Sequence, residues 1–243
     1  MAAALALGAG LLAVPAPVPD GATGALDAGR SAVIRASPPT TAEAAPAERD
    51  VPAFPAVSAA DAAAGVLAAV VPRVGTGETG VVPGAAPAPG SGPVRTVRVE
   101  VEGGLPVDDA AFAAFVLDTL NDPRGWGHDG AMTFARTDGD AELTVVLASP
   151  ETSARMCRPL DTGGRLSCRI GPRAILTHYR WVEAHPDYGA DRTGYRHYLV
   201  NHEVGHFLGH DHVPCPAPGA PAPVMQQQTK GLRGCAPNSW PHP

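Results

Sequence analysis

The stretch NHEVGHFLGHDH, residues 201–212, decides the local fold of the C-terminal half of this chain. It holds four of the nine histidines in the sequence and one glutamate. His202 and His206 are four residues apart, so on a helix they lie on one face, one turn apart. Two imidazoles at that spacing can share one Zn²⁺ ion through bonds of about 2.0–2.1 Å. Glu203 then lies beside the open coordination position, where it can take a proton from bound water.

The residues around this motif predict a helix. The run TGYRHYLVNHEVGHFLG, residues 193–209, has Thr193 as a candidate N-cap and Gly209 just past its end. Glycine accepts positive φ, so the chain can leave the helix at Gly209 and turn back.

The third ligand depends on that turn. On a continuous helix His212 would stand about 9 Å along the axis from His206, from the rise of 1.5 Å per residue. A turn at Gly209 removes this separation, and we therefore predict His212 as the third ligand. His210 is the rival, although on a straight helix it would lie about 12 Å from His202. We place His210 beside the site and leave its role open.

A chance cluster of histidines on a surface helix is the alternative to a metal site. The pattern H-E-x-x-H alone arises by accident in soluble helices. The longer pattern H-E-x-x-H-x-x-G-x-x-H fixes five positions, and chance gives it on the order of 10⁻⁴ times per chain at this composition. The length of the pattern therefore favours a metal site.

The five fixed residues match the zinc signature of the metzincin metallopeptidases, which this sequence resembles. They are His202, Glu203, His206, Gly209 and His212. The resemblance implies one Zn²⁺ held by the three histidines, with Glu203 as the catalytic base. It also implies a twisted sheet above an active-site cleft, with the active-site helix in the cleft.

A second element of the resemblance is APVMQQQ, in which Met225 follows His212 by thirteen residues. Metzincins place a methionine-containing turn beneath the zinc, and Met225 matches that Met-turn. Over about residues 93–243 the chain resembles an actinobacterial family of secreted metzincin-like domains of unknown function. Gln227 departs from metzincins that have a tyrosine ligand there. No cysteine precedes Cys157, so latency through an upstream thiol is not expected.

Four cysteines, Cys157, Cys168, Cys215 and Cys235, lie in the C-terminal part of the chain. They contain no C-x-x-C pair, which argues against a zinc ribbon or a thioredoxin-type redox pair. Their even number and local spacing predict two disulfides, Cys157–Cys168 and Cys215–Cys235, and an oxidising compartment. Unpaired thiols are the alternative.

The N-terminal part is predicted to be unstructured. Residues 1–19 carry no charge and are similar to the apolar core of a signal peptide or the end of a membrane anchor, the alternative being an Ala-rich tail. Residues 20–92 are rich in Ala, Pro and Gly and predict a disordered spacer. A short helix near 61–71 is the exception. We expect the domain to be extracellular or at the cell surface of a bacterium.

Residues 93–243 form the predicted domain. VRTVRVEVE, residues 94–102, alternates Val97, Val99 and Val101 with polar residues, as a half-buried strand does. PVDDAAFAAFVLDTL predicts a helix capped by Asp108, AMTFAR and AELTVVLA predict strands, and GGRLSCRIG predicts one arm of a hairpin turning at 163–164. RAILTHYRWVEA predicts a strand followed by a helix. The expected fold is α/β (α+β), with an irregular, disulfide-stapled C-terminal part.

The charge and motifs exclude several functions. The net charge of −6 gives no basic surface for nucleic acid, and no phosphate-binding glycine loop or nucleophilic Ser/His/Asp elbow occurs. We expect a monomeric zinc endopeptidase acting on proteins or peptides, with an N-terminal membrane tether as one arrangement. The alternatives are a binding domain with a structural zinc and a zinc hydrolase acting on a non-peptide cell-wall bond.

Overall fold

The structure is a computed structural model, and it describes residues 57–243. The apolar segment 1–19 and the part of the predicted spacer from 20 to 56 lie outside the described residues. Within residues 57–243, no helix is both long and apolar enough to cross a membrane.

Six strands form one mixed sheet in the described part of the chain. They are β1 (Thr79–Val81), β2 (Val94–Glu102), β3 (Thr133–Arg136), β4 (Leu143–Ala148), β5 (Cys168–Ile170) and β6 (Arg173–Thr177). The order is β1-β2-β4-β6-β5, in which β2, β4 and β6 are parallel and β5 runs antiparallel at one edge. On the other side of β2, β3 pairs with its start and β1 with its end.

Five α-helices accompany the sheet between residues 57 and 243. They are α1 (Ala59–Ala63), α2 (Asp109–Leu120), α3 (Pro150–Met156), α4 (His178–Glu183) and α5 (Arg192–Phe207). The side chain of Asp108 caps α2 by accepting the N–H of Ala111 at 3.0 Å, as the sequence predicts. The predicted mixed α/β fold is confirmed.

The main core lies between the sheet and the helices α2, α4 and α5. The three valines of β2 predicted to share one face, Val97, Val99 and Val101, are all buried there. Because β4 is parallel to β2 and in register with it, its alternate residues Leu143, Val145 and Leu147 continue this apolar layer.

A smaller apolar cluster covers the opposite face of the sheet. Val146 and Ile175 pack there around the disulfide Cys157–Cys168, which ties the end of α3 to β5. The second predicted disulfide, Cys215–Cys235, is also present and cross-links the irregular C-terminal part. Both predicted pairings are therefore confirmed.

The hairpin around β5 differs from the prediction. Gly163 and Gly164 do adopt positive φ, but the turn they form belongs to the loop before β5. The strand β5 pairs with β6 instead, and Gly171 at φ +57° makes that turn. The turn at Gly163 and Gly164 and the turn at Gly171 both suit a hairpin. The sequence alone therefore did not show which of them joins β5 to its partner strand.

The polar face of β2 is also more buried than its alternation predicts. Glu102 is 1% exposed, and its carboxylate accepts the backbone N–H groups of Gly75, Gly77 and Ser149 at 2.7–2.9 Å. Burial alone would raise the pKa of Glu102, but hydrogen bonds from Ser149, Gly77 and Thr152 outweigh it and lower the pKa. Glu102 thus anchors the loop that contains Gly75 and Gly77, which precedes β1, to the sheet.

The end of the predicted spacer is folded, which corrects the predicted domain boundary at residue 93. Ala64, Val66 and Val82 are buried in the main core, and the indole N–H of Trp181 donates to the carbonyl of Ala64 at 2.9 Å. The sequence hid this contribution because the few apolar anchors are separated by Gly and Pro without a helical or strand period.

An ion-pair cluster fixes the start of this segment to α5. Ser58 caps α1, and the buried carboxylate of Asp61 pairs with Arg192 at 2.6 Å and with Arg196 at 2.7 Å. Arg196 is itself only 1% exposed. The segment that the composition predicts to be a spacer therefore braces the helix that carries the histidine motif.

Candidate metal centre

The helix α5 places the motif at the edge of the sheet. Its N-cap is Asp191, whose carboxylate accepts the N–H of Gly194 at 2.7 Å, so the predicted cap at Thr193 is wrong by two residues. The helix ends at Phe207, and Gly209 follows at φ +94°. The predicted departure of the chain at this glycine is confirmed.

The three predicted ligands converge after that turn. The Nε2 atom of His212 lies 3.0 Å from Nε2 of His206 and 3.3 Å from Nε2 of His202. One nitrogen from each ring lies within 4.8 Å of the other two. Two nitrogens bound tetrahedrally at zinc bond lengths are about 3.3 Å apart, so the spacing fits one such ion.

The tautomers of two of these rings are fixed by backbone carbonyls. Nδ1 of His202 lies 2.8 Å from the carbonyl oxygen of Val224, and Nδ1 of His206 lies 2.8 Å from that of His210. A carbonyl only accepts, so each Nδ1 carries the proton and each Nε2 presents a lone pair. The nitrogens offered by the three rings all lie within 4.8 Å of one another, an arrangement that one cation can satisfy. The donor set therefore fits a metal ion.

The surroundings keep these imidazoles neutral. Burial lowers the pKa of His202 to about 3, although its bond to Val224 opposes the shift. Burial also lowers the pKa of His206 and of His212, which is the most exposed of the three. Neutral imidazole is the form that binds metals.

Glu203 lies next to this group with its carboxylate free of partners. Its side chain makes no hydrogen bond or ion pair with another residue of the range 57–243, yet it lines the cleft that contains the three histidines. Burial raises the pKa of Glu203 to about 8, and the positive charge of Arg169 acts in the opposite direction. Beside a divalent cation the ionised carboxylate is favoured, so Glu203 can serve as a base at neutral pH.

Met225 packs directly against the helix that carries the ligands. A Cβ atom on Gly205 would overlap the sulfur of Met225 and would come within 2.7 Å of the Trp126 ring. The carbonyl of Met225 also accepts the N–H of Val213 at 3.2 Å, just after the third histidine. The predicted Met225 is therefore brought to the site, where it supports α5 and the returning chain.

The groups that orient the histidines were missed by the sequence. The nearby carboxylate of Asp191 caps the helix, and backbone carbonyls accept from both Nδ1 atoms. A backbone acceptor leaves no signal in the residue types. Tyr198 ties α5 to the segment that follows Met225, since its hydroxyl donates to the carbonyl of Gln226 at 3.1 Å and accepts the N–H of Gln228 at 2.9 Å.

The histidines open into a cleft of about 410 Å³ between α5, the edge strand β5 and the C-terminal segment. Besides the three histidines and Glu203, its lining includes the charged residues Asp161, Arg169, Asp211 and Lys230. Cys168 and Arg169 line it from the edge strand β5, Gln227 and Thr229 from the C-terminal segment. This open groove exposes the three histidines to solvent and to molecules that enter the cleft.

Fold and site together define a mixed α/β domain with a cleft-facing cluster of three histidines and one buried glutamate. A family model described as "Protein of unknown function (DUF3152)" matches residues 67–238. The chain belongs to this DUF3152 family. No curated protein and no solved structure matches it.

Proposed function

We propose that the domain is a zinc-dependent endopeptidase of the metzincin type. The observation that carries the proposal is the convergence of three neutral Nε2 atoms beside an unpartnered, buried carboxylate in an open cleft. His202, His206 and His212 would hold one Zn²⁺. Met225 at the base of the helix and the turn at Gly209 support the metzincin assignment.

The bound ion would polarise the scissile carbonyl and lower the pKa of water, which is the chemistry zinc supplies in hydrolases. Glu203 would accept the proton from the attacking water and pass it to the leaving amine. Its buried position keeps this proton away from bulk solvent, and its lack of other partners leaves it free to move the proton.

The number of ligands favours catalysis over a structural role. Structural zinc sites are usually closed by four protein ligands, whereas catalytic sites keep one position open. Within residues 57–243, only three histidines form a group able to hold a metal ion. The four cysteines are unable to add a ligand because all of them are in disulfides.

We also propose that the protein acts outside the cytoplasm. Two disulfides are typical of exported proteins, and the apolar segment 1–19 would direct export or tether the domain to a membrane. The substrate would then be an extracellular or cell-surface protein or peptide.

The test uses the full chain and an isosteric Glu203→Gln variant. Zinc content by elemental mass spectrometry and cleavage of a mixed peptide library are measured on both. We expect one zinc per chain in both proteins and cleavage by the wild type alone. Zinc in both proteins without cleavage of any peptide would support a structural zinc or a zinc hydrolase of non-peptide bonds instead. No bound zinc would remove the proposal.

A further inference from the structure

A second cavity of about 400 Å³ adjoins the histidine cluster on the side of His212. Two chain segments form its walls, residues 212–215 and residues 226–233. The disulfide Cys215–Cys235 and the hydrogen bond from Val213 N–H to the carbonyl of Met225 tie the first segment to the residues that flank the second. The cavity is therefore built into the fold.

The charges in this cavity are all positive. Lys230 and Arg233 are its charged lining residues, and the other lining residues, including the neutral imidazole of His212, carry no charge. This contrasts with the chain as a whole, which has 24 acidic and 18 basic residues. It also contrasts with the main cleft, where Asp161 and Asp211 accompany the cations.

Neither cation is neutralised by the described part of the chain. Lys230 and Arg233 are both exposed, and neither forms an ion pair with a residue between 57 and 243. Asp187 touches this segment, but it accepts the backbone N–H of Leu232 and does not line the cavity. Both cations are thus available to a ligand.

The side chain of Gln226 fixes the segment that carries the two cations. The buried side chain of Gln226 donates to the carbonyl of Leu232 at 2.8 Å, and its amide oxygen is buried away from solvent. Lys230 lines both the cavity and the main cleft, and its charge acts on His212. A group bound by Lys230 would therefore lie next to the metal site.

We propose that this cavity, the cationic side pocket, binds a carboxylate of the substrate through Lys230 and Arg233. This rests on the proposed peptidase function, and it makes the preferred substrate a peptide with a free carboxylate close to the cleaved bond. An acidic side chain and a C-terminal carboxylate share this chemistry. A charged partner in a preformed pocket fixes orientation and specificity.

The test measures binding, so that it does not depend on cleavage. The zinc-loaded full chain carrying Glu203→Gln is dialysed against pools of N-acetylated hexapeptides, and the bound peptides are quantified by mass spectrometry. Two pools are C-terminally amidated and contain one Glu or one Gln at varied positions. A third pool has no charged side chain and a free C-terminal carboxylate, which identifies the second source of the carboxylate.

We expect the Glu pool or the free-acid pool to bind about fivefold more than the Gln pool, the effect of a partly exposed charge pair. The preference for the acidic pool over the Gln pool should fall below about twofold in the Lys230→Gln or Arg233→Gln variant, because one of the two cations is removed. It should also fall at high salt, because exposed charges are screened. The matched control Arg158→Gln removes an exposed positive charge outside both cavities and should keep the preference.

Several results would overturn the side pocket. They are equal binding of the acidic and neutral pools, a preference that survives both pocket substitutions, and no binding of any pool. Cleavage of the same pools by the wild type reports on the peptidase separately. Cleavage without an acidic preference would remove the side pocket and keep the peptidase proposal. An acidic preference in binding without cleavage would keep the side pocket and remove the peptidase proposal.

Discussion

The indole ring of Trp126 stacks on the imidazole of His210, with ring centroids 4.4 Å apart and planes inclined by 16°. The indole N–H donates to the carbonyl of Asn201 at 3.0 Å, so Trp126 contacts α5 as well as the segment that follows it. The carbonyl of His210 accepts from Nδ1 of His206. The role of His210 is thus to present a backbone acceptor to a neighbouring histidine, with its ring held by Trp126.

Removal of the stacked ring should weaken metal binding. We expect Trp126→Ala to lower zinc affinity by about tenfold, because partners that orient ligand imidazoles typically contribute 10–100-fold. Trp126→Phe keeps a stacking ring and should recover most of the affinity. The measurement is zinc competition with a chromophoric chelator at fixed pH, accompanied by thermal unfolding of each variant.

The phenylalanine variant separates positioning from general stability. If both variants are equally stable but only the alanine variant loses affinity, the ring acts through His210. Equal zinc affinity in all three proteins would show that the Nδ1 acceptor needs no support from Trp126.

Gly205 is required by packing and not by its backbone conformation. Alanine is the better helix former by about 1 kcal/mol, so an unobstructed site would gain stability from Gly205→Ala. The added Cβ would instead meet the Met225 sulfur and the Trp126 ring. We therefore expect Gly205→Ala to lower the free energy of unfolding by about 1–3 kcal/mol, as in overpacked cores. Urea denaturation measures this change.

A second substitution checks that cause. The double variant Gly205→Ala with Met225→Ala should lose less unfolding free energy than the sum of the two single variants, because the shortened side chain makes room for the methyl group. Additive losses, or a stabilised Gly205→Ala protein, would contradict the close contact at this position.

The sequence predicted the regions where a single period or motif governs the structure. The strand β2 and the helix α2 follow from their apolar spacing, and the convergence of His202, His206 and His212 follows from the motif and the glycine turn. In these regions the local pattern agrees with the tertiary contacts, so the residue types carry enough information.

The features that the sequence did not predict depend on contacts between residues that are far apart in the chain. Asp61 pairs with Arg196 across 135 positions, and nothing in an Ala-rich segment indicates such a partner. Glu102 was expected on an exposed face because loop amides that satisfy it are invisible in the strand pattern. Lys230 and Arg233 likewise line a common cavity with residues 212–215, which the sequence pattern does not indicate.

The ion pair of Asp61 gives a direct test that residues before 67, where the family match begins, belong to the fold. Asp61→Asn leaves the buried guanidinium of Arg196 without its counter-charge, so we expect a loss of about 3 kcal/mol. The control Glu151→Gln removes the partner of Arg73 in an exposed pair and should cost less than about 0.5 kcal/mol. Chemical denaturation of the full chain measures both.

Acid should produce the same loss in the wild type. Burial alone would raise the pKa of Asp61, but hydrogen bonds from Arg192, Ser58 and Arg196 outweigh it and hold the pKa well below its ordinary value of 3.8. The stabilisation is therefore present above about pH 4 and is lost as the pH falls further. An Asp61→Asn protein as stable as the wild type at pH 7 would place the segment outside the cooperative unit.

A second acid response should come from His178, which begins α4 directly after β6 and is fully buried. Neither ring nitrogen has a hydrogen-bond partner among residues 57–243. Burial lowers the pKa of His178 from 6.5 to about 4, although the charge of Glu102 opposes the shift. Because the unfolded chain binds this proton first, stability should fall as the pH drops from 6.5 to 4, by up to about 3 kcal/mol.

The substitution His178→Leu isolates this contribution. Other histidines with lowered pKa values, including His202, titrate in the same range, so the informative quantity is the difference in pH dependence between the two proteins. Between pH 7 and pH 4 the unfolding free energy of the variant should fall by up to about 3 kcal/mol less than that of the wild type, since leucine carries no such acid cost. Parallel curves would mean that His178 is protonated with an internal partner or is hydrated in the folded protein, and that its burial does not set the acid limit of the domain.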